Sequence, residues 1–291
     1  MFTERTLRDV RTLEYVDLGD PAGLPVLMFH GTPATGGQAR IVADAARHDG
    51  IRLVAPSRPG YGASTPTPPG LASAAADVVE LADQLGLDRF ATVGLSGGGP
   101  FALAMAVVAP DRITSVGVLA GTAAYFDVMP PSDEDAAERR AMATYLAGDV
   151  EGALQEMTRS DDAGFGELRG LSEVEFAAAM RAQPSPGGTW LARHPDADAV
   201  FLTDFHRAIA GSAGYVRDNL SWGSGWDVDL AAVTAPVRMV YGDADTMVPM
   251  PHAEWLLARL PHAELHVVPG GHGDATFGAA GQAFAAIRAT G

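Results

Sequence analysis

Residues 89–109 read RFATVGLSGGGPFALAMAVVA, a β-rich apolar run that stops at a serine and passes directly into an apolar helical segment. Within it, Gly94-Leu95-Ser96-Gly97-Gly98 has the spacing G-x-S-x-G. A strand that turns this sharply into a helix holds the serine in a strained backbone conformation, and side chains two residues to either side would collide. Glycine at 94 and 98 removes that collision, so Ser96 can stand clear of the sheet. The helix expected from Gly97 to Ala109 is apolar nearly all round and stops at Pro110, the pattern of a buried central helix. Its first turn aims free N–H groups at Ser96 and favours negative charge there. A glycine-rich turn can carry a serine without chemistry, so the weight of the motif depends on the rest of the chain.

That rest has a strand–helix–strand rhythm. Leu7 to Gly19 suggests a pair of antiparallel strands at a sheet edge, and Pro25–Phe29 a buried strand running into His30-Gly31-Thr32-Pro33. Gln38–His48 has helical spacing, Ile51–Ala55 is a strand, and Ser57–Ser64 is a turn-rich, structural loop. Ser73–Leu85 is an amphipathic helix with Ser73 as its expected N-cap, and Ile113–Leu119 another buried strand. The succession implies a parallel sheet with right-handed crossovers.

From Gly121 to Trp226 the strand signals vanish. Helices are expected from Ser132, after a cap at Asp149, after a capping box at Ser172 and Glu175, and over Ala197–Ile209. This reads as a helical cap, residues 121–226, inserted in a core made of residues 1–120 and 227–291. Its aromatic and methionine side chains, among them Tyr125, Phe126, Met129, Trp190, Phe201, Phe205, Trp222 and Trp226, are candidates for an apolar pocket, although most such residues serve as cap core. The strand pattern returns at Pro236–Tyr241, followed by Asp243, Asp245 and Val248-Pro249, a helix over 250–260, a strand over 263–268, then His272 and a closing helix over 276–289.

Composition narrows the classes. A chain of 291 residues that is 47% hydrophobic can bury a large core, and one without cysteine has neither disulfides nor a thiolate nucleophile or metal ligand. The N-terminus lacks a signal-peptide core, no apolar run approaches a membrane span, and a cytoplasmic location is expected. Net charge of −16 opposes binding to nucleic acid or anionic membrane. His262 and His266 are four apart but lie in or beside an expected strand, where that spacing does not make a metal site, so no metal and no cofactor are expected.

Taken together, Ser96, Asp245 and His272, each just after an expected strand and in that order, resemble the α/β-hydrolase superfamily. The resemblance covers nearly the whole chain outside the cap. It implies an α/β fold with a mostly parallel eight-stranded sheet, helices on both faces and a helical cap insertion. It also implies Ser96 as nucleophile, His272 as general base and acid, and Asp245 as the orienting acid. Asp243 competes for that role, and the family's Val-Pro pattern favours Asp245. By the same resemblance the backbone N–H groups of Thr32 and Gly97 form the oxyanion hole, with His30 bracing the loop. The tentative pocket set is Leu95, Tyr125, Phe126, Met129, Trp222 and Met247. The loop at 57–64 departs from the family's D-x-P-G-x-G-x-S pattern by replacing its acid with Ser57, so whatever that acid braces must be braced otherwise.

The implied activity is hydrolysis of a small, mostly apolar carboxylic ester through an acyl-enzyme, with a small ester-like molecule as the partner; nothing in the sequence opposes a homodimer. Amide, thioester or C–C hydrolysis and cofactor-free perhydrolysis use the same machinery, and a receptor-like relative with little turnover is a further reading. Serine at the elbow argues against the dehalogenases and epoxide hydrolases of this fold, which carry aspartate there.

Overall fold

The computed structural model describes residues 1–182 and 188–290. Eight strands form one sheet: β1 (Thr3–Thr6), β2 (Thr12–Gly19), β3 (Leu24–Phe29), β4 (Ile51–Pro56), β5 (Phe90–Leu95), β6 (Ile113–Leu119), β7 (Val237–Gly242) and β8 (Ala263–Val268). Their spatial order is β1-β2-β4-β3-β5-β6-β7-β8. β2 is antiparallel to both β1 and β4, and every other pairing is parallel. The edge hairpin begins earlier than the sequence suggests, with Thr3 opposite Tyr15 and a reversal at 7–11.

Strand alternation sorts the core into two layers. β3 sends Leu27 and Phe29 to one face and Val26 and Met28 to the other, as the period of two requires. The first layer is closed by helices α2 (Leu71–Gln84) and α3 (Gly99–Val108), through side chains such as Leu81, Phe101 and Met105. The second is closed by α1 (Ala43–His48) and by a C-terminal helix over Ala280–Thr290, through Ala46, Phe284 and Ile287. With both faces covered, β5 is buried at every position, which is why it reads as a continuous apolar run.

Between β6 and β7 the described residues contain helices and no strand: α4 (Tyr125–Val128), α5 (Ala136–Leu146), α6 (Val150–Arg169), α7 (Glu173–Arg181), α8 (Gly188–Arg193), α9 (Pro195–Ala208) and α10 (Ala213–Trp222). The Asp149 carboxylate caps α6 by accepting from Gly152 N, and Ser172 with Glu175 forms a reciprocal capping box on α7. Satellite cores around Met142 and Met157, and around Phe176 and Phe205, hold these helices together. After β7 come α11 (Met250–Leu257), β8 and the closing helix α12 (Ala280–Thr290). No described helix is long and apolar enough to cross a membrane.

Several helix starts differ from expectation. α2 begins at Leu71 with Gly70 as N-cap; the Asp227 carboxylate, 156 residues away, accepts from Leu71 N at 3.0 Å, and the Ser73 hydroxyl donates to Gly70 O instead. A cap supplied from across the fold leaves no local sequence signal. The stretch expected as a helix from Gln38 is a 3₁₀ turn over Gly36–Val42 before α1. α5 starts after Asp135 rather than at Ser132, and a π-helical turn over Asp274–Gly278 precedes α12.

Candidate active site

The loops leaving the carboxyl ends of β3, β5, β7 and β8 converge. Ser96 has φ +51°, in the left-handed region where a residue with a side chain is strained. The steric reason is measurable: a Cβ on Gly94 would lie 2.3 Å from Gly98 O, and one on Gly98 would lie 2.3 Å from Phe29 O. A short 3₁₀ turn over Ser96–Gly98 leads into α3. A Cβ on Gly97 would lie 2.5 Å from Thr32 Oγ1 and 3.4 Å from Thr32 N, so the two proposed oxyanion-hole residues are direct neighbours. The Thr32 amide donates to no acceptor among the described residues.

His272 Nδ1 and Asp245 Oδ2 are 2.8 Å apart. The other Asp245 oxygen accepts from Met247 N at 2.9 Å and Val248 N at 3.0 Å. Burial works to raise the Asp245 carboxyl, but the hydrogen bond and positive charge available at His272, with the two amides, outweigh it and hold the group below its usual range. An ionised Asp245 accepts the hydrogen bond of His272 Nδ1–H, which leaves Nε2 unprotonated and available as a base. Asp243, the competing acid, and the neighbouring Asp274 have other work. Asp243 accepts from Gly270 N at 2.9 Å, and Asp274 accepts from Gly271 N at 3.1 Å and from Arg193 at 2.8 Å, so both shape the loop that carries His272. Ser96 and His272 line one cavity without a direct hydrogen bond between them. Such bonds commonly close only in the substrate complex.

His30 is fully buried, and burial first, then the Arg58 charge, pushes its imidazole well below the ordinary value. Its geometry fits a neutral ring: Nε2 accepts from Arg58 N at 3.0 Å while Nδ1 lies 2.7 Å from Gly31 O. The acid absent at position 57 is replaced from another strand. Ser57 Oγ donates to Glu14 Oε1 at 2.7 Å and accepts from Gly36 N at 3.0 Å, and Arg207 of α9 clasps the same carboxylate.

The cavity has a volume of about 710 Å³ and is lined by Leu95 and Met247, together with Phe165, Leu168, Met180, Phe201, Phe205, Tyr215 and Phe277. Four tentative pocket residues lie elsewhere. Trp222 is buried in the main core, Tyr125 packs edge-on against it and stacks on His252 at 5.8 Å, and Phe126 packs on the cap core around Met142. Met129 ends α4, where its carbonyl accepts from Arg139. These residues belong to the root of the cap, whereas the wall over Ser96 comes from the C-terminal half of α6, from α7 and from α9. Phe165 and Leu168 sit on the amphipathic α6, a signal that was present, but periodicity does not say which partner a face meets.

Residues 25–278 match the family described as alpha/beta hydrolase fold. The chain belongs to the α/β-hydrolase family. It is 39% identical over 108 residues to haloalkane dehalogenase 2 of Mycobacterium tuberculosis, a match spanning 36% of each chain, so it covers about a third of that relative's length. It is 27% identical over 262 residues to a 2-hydroxy-6-oxo-6-phenylhexa-2,4-dienoate hydrolase of Burkholderia cepacia, covering 85% of this chain and 80% of the relative. Among solved structures, an alpha/beta hydrolase fold protein from Nakamurella multipartita superposes over 100% of both chains with a TM-score of 0.65 at 23% identity, a likeness of fold alone.

Proposed function

We propose that this α/β-hydrolase cleaves small, largely apolar carboxylic esters through a seryl acyl-enzyme. The carrying observation is that Ser96, Thr32 and His272 face one cavity while His272 Nδ1 is held 2.8 Å from Asp245. Ser96 Oγ attacks the ester carbonyl carbon as His272 Nε2 takes its proton. The oxyanion is met by the amides of Thr32 and Gly97, where preorganised donors favour the charge that develops in the transition state. Collapse expels the alkoxide, which leaves as alcohol after His272 returns the proton. Water deprotonated by His272 then attacks the acyl carbon, releasing the acid and regenerating Ser96. Asp245 stabilises the imidazolium in both halves.

The apolar lining and the cavity volume suit a small hydrophobic acyl group. The test is turnover of p-nitrophenyl esters of increasing acyl length, with Ser96→Ala as control. Turnover lost in the variant supports the reading, and absence of turnover by the folded wild type across the series overturns it.

C–C bond hydrolysis is a second reading, favoured by the similarity to the dienoate hydrolase over most of the chain. Glu167 on the cavity lining weighs against a substrate bearing a free carboxylate, whereas Asp162 beside it is paired with Arg169. Direct assay of 2-hydroxy-6-oxo-6-phenylhexa-2,4-dienoate beside the ester series separates the two.

A further inference from the structure

Among the polar side chains that line the cavity and take no part in the chemistry above, Gln38 stands beside the nucleophile. Gln38, on the 3₁₀ turn after β3, is only 5% exposed and lines the cavity beside Gly31 and Ser96. Its orientation is set: Gly31 N donates to Gln38 Oε1 at 2.7 Å, which identifies the other terminal atom as the NH₂ donor. That Nε2 has no acceptor among the described residues, and it is not sealed from the cavity. A Cβ on Gly31 would lie 3.5 Å from the Gln38 amide and 3.7 Å from Ser96 Cβ, so amide and nucleophile flank the same glycine.

A donor fixed at its far end and left unpaired in a largely apolar cavity discriminates between ligands. A hydrocarbon chain that displaces water from Nε2 leaves the donor unsatisfied, whereas an oxygen acceptor at that place recovers the bond. Of the two acids on the lining, Asp162 is paired with Arg169, and the charge of Glu167 disfavours an anionic acceptor relative to a neutral one.

We propose that Gln38 is a specificity residue that hydrogen-bonds, through Nε2, a neutral acceptor oxygen carried close to the scissile carbonyl, so that the substrate class is esters of oxygenated acyl groups (alkoxy, hydroxy or oxo) rather than simple alkanoates. This rests on the serine-hydrolase reading. Gln38 has a second role through Oε1, which braces Gly31 next to the oxyanion loop, and the test separates the two roles.

The probes are p-nitrophenyl methoxyacetate and p-nitrophenyl butanoate, which differ by one ether oxygen in place of a methylene. The readout is the ratio of their kcat/KM values in wild type, Gln38→Leu and Gln38→Glu; comparing variants cancels the intrinsic reactivity of each ester. Gln38→Glu retains an acceptor for Gly31 N while removing the donor. The expected result is a fall of roughly tenfold in the methoxyacetate-to-butanoate ratio in both variants, the size of one well-placed hydrogen bond. Losses that are equal for the two esters would overturn the proposal and leave Gln38 as a brace for Gly31. Calorimetric titration of the same esters into Ser96→Ala reads the preference without turnover, and equal affinities there would also overturn it. Wild-type rates no higher than those of Ser96→Ala would instead sink the serine-hydrolase reading, while the titration still decides the role of Gln38.

Discussion

Arg58 of the core and Asp218 of cap helix α10 form a buried ion pair, Nη2 to Oδ2 2.5 Å, with the two side chains 1% and 4% exposed. Thr32 Oγ1 donates to the same Asp218 oxygen at 2.7 Å, Arg58 Nη2 reaches Thr32 Oγ1 at 2.9 Å and Gly31 O at 3.0 Å, and the guanidinium lies 4.6 Å from the Phe101 ring centre. The cap is thereby tied to the loop that presents the Thr32 amide.

Removing one partner leaves the other charge buried without compensation. Asp218→Ala is expected to cost about 3–5 kcal/mol and lower the melting temperature by on the order of 10 °C, with kcat falling as Thr32 loosens. The double variant Arg58→Met/Asp218→Leu should recover much of the stability but not the activity, since Thr32 Oγ1 still lacks its acceptor. Thermal denaturation and ester turnover on the same samples check both parts.

Asp245→Asn keeps the shape of the acid but offers His272 the wrong hydrogen-bonding pattern. A loss in kcat of about 10³–10⁴-fold is expected with little change in KM, by the general behaviour of such triads. Steady-state kinetics with the preferred p-nitrophenyl ester measure it; a loss carried by KM would remove Asp245 from the chemistry.

Gly164 lines the cavity from within α6, and a Cβ there meets nothing within 4 Å. Gly164→Leu should therefore fold, gain up to about 1 kcal/mol from helix propensity, and narrow the cavity. The expected result is a higher melting temperature together with a drop in kcat/KM for long acyl esters relative to acetate.

Asp204 of α9 accepts from both Thr35 N and Thr35 Oγ1, yet burial raises its carboxyl to about 6 against the opposing effect of those bonds and of Arg207 and Arg40. A folded-state value above the unfolded one means that the native protein holds the proton more tightly, so the group penalises folding once it ionises. That penalty is absent below about pH 4 and grows until the pH passes about 6. Asp204→Asn should thus gain stability relative to wild type as pH rises from 4 to 7, by up to about 3 kcal/mol for a shift of this size. Urea titrations of both proteins at pH 4, 5, 6 and 7 test the sign.

Much of this architecture is legible in one sequence because its signals are local. The glycines at 94 and 98, the continuous apolar run of β3 and the capping box at Ser172 each act within a few residues of the atoms they control. The serine, acid and histidine stand at strand ends for the same reason: an apolar run marks the strand, and the residue after it reaches the sheet's edge. Asp243 and Asp245, two residues apart and chemically alike, were separable by family pattern but not by local physics. Only the folded loops show one accepting from Gly270 N and the other facing His272.

What the sequence by itself determined is the sheet, the elbow and the placing of Ser96, Asp245 and His272 each just after a strand, since these follow from periodicity and sterics along the chain. Tertiary structure alone decided which helix faces roof the cavity, that Asp227 caps α2, that Glu14 supplies the carboxylate absent at 57, and that Asp218 and Gln38 steady the loop between Gly31 and Thr32. Those contacts join residues from 7 to 186 positions apart, and at all but the shortest of these separations no local preference records the partner. They are selected by packing and by the cost of leaving a buried polar group unpaired, which are properties of the assembled interior.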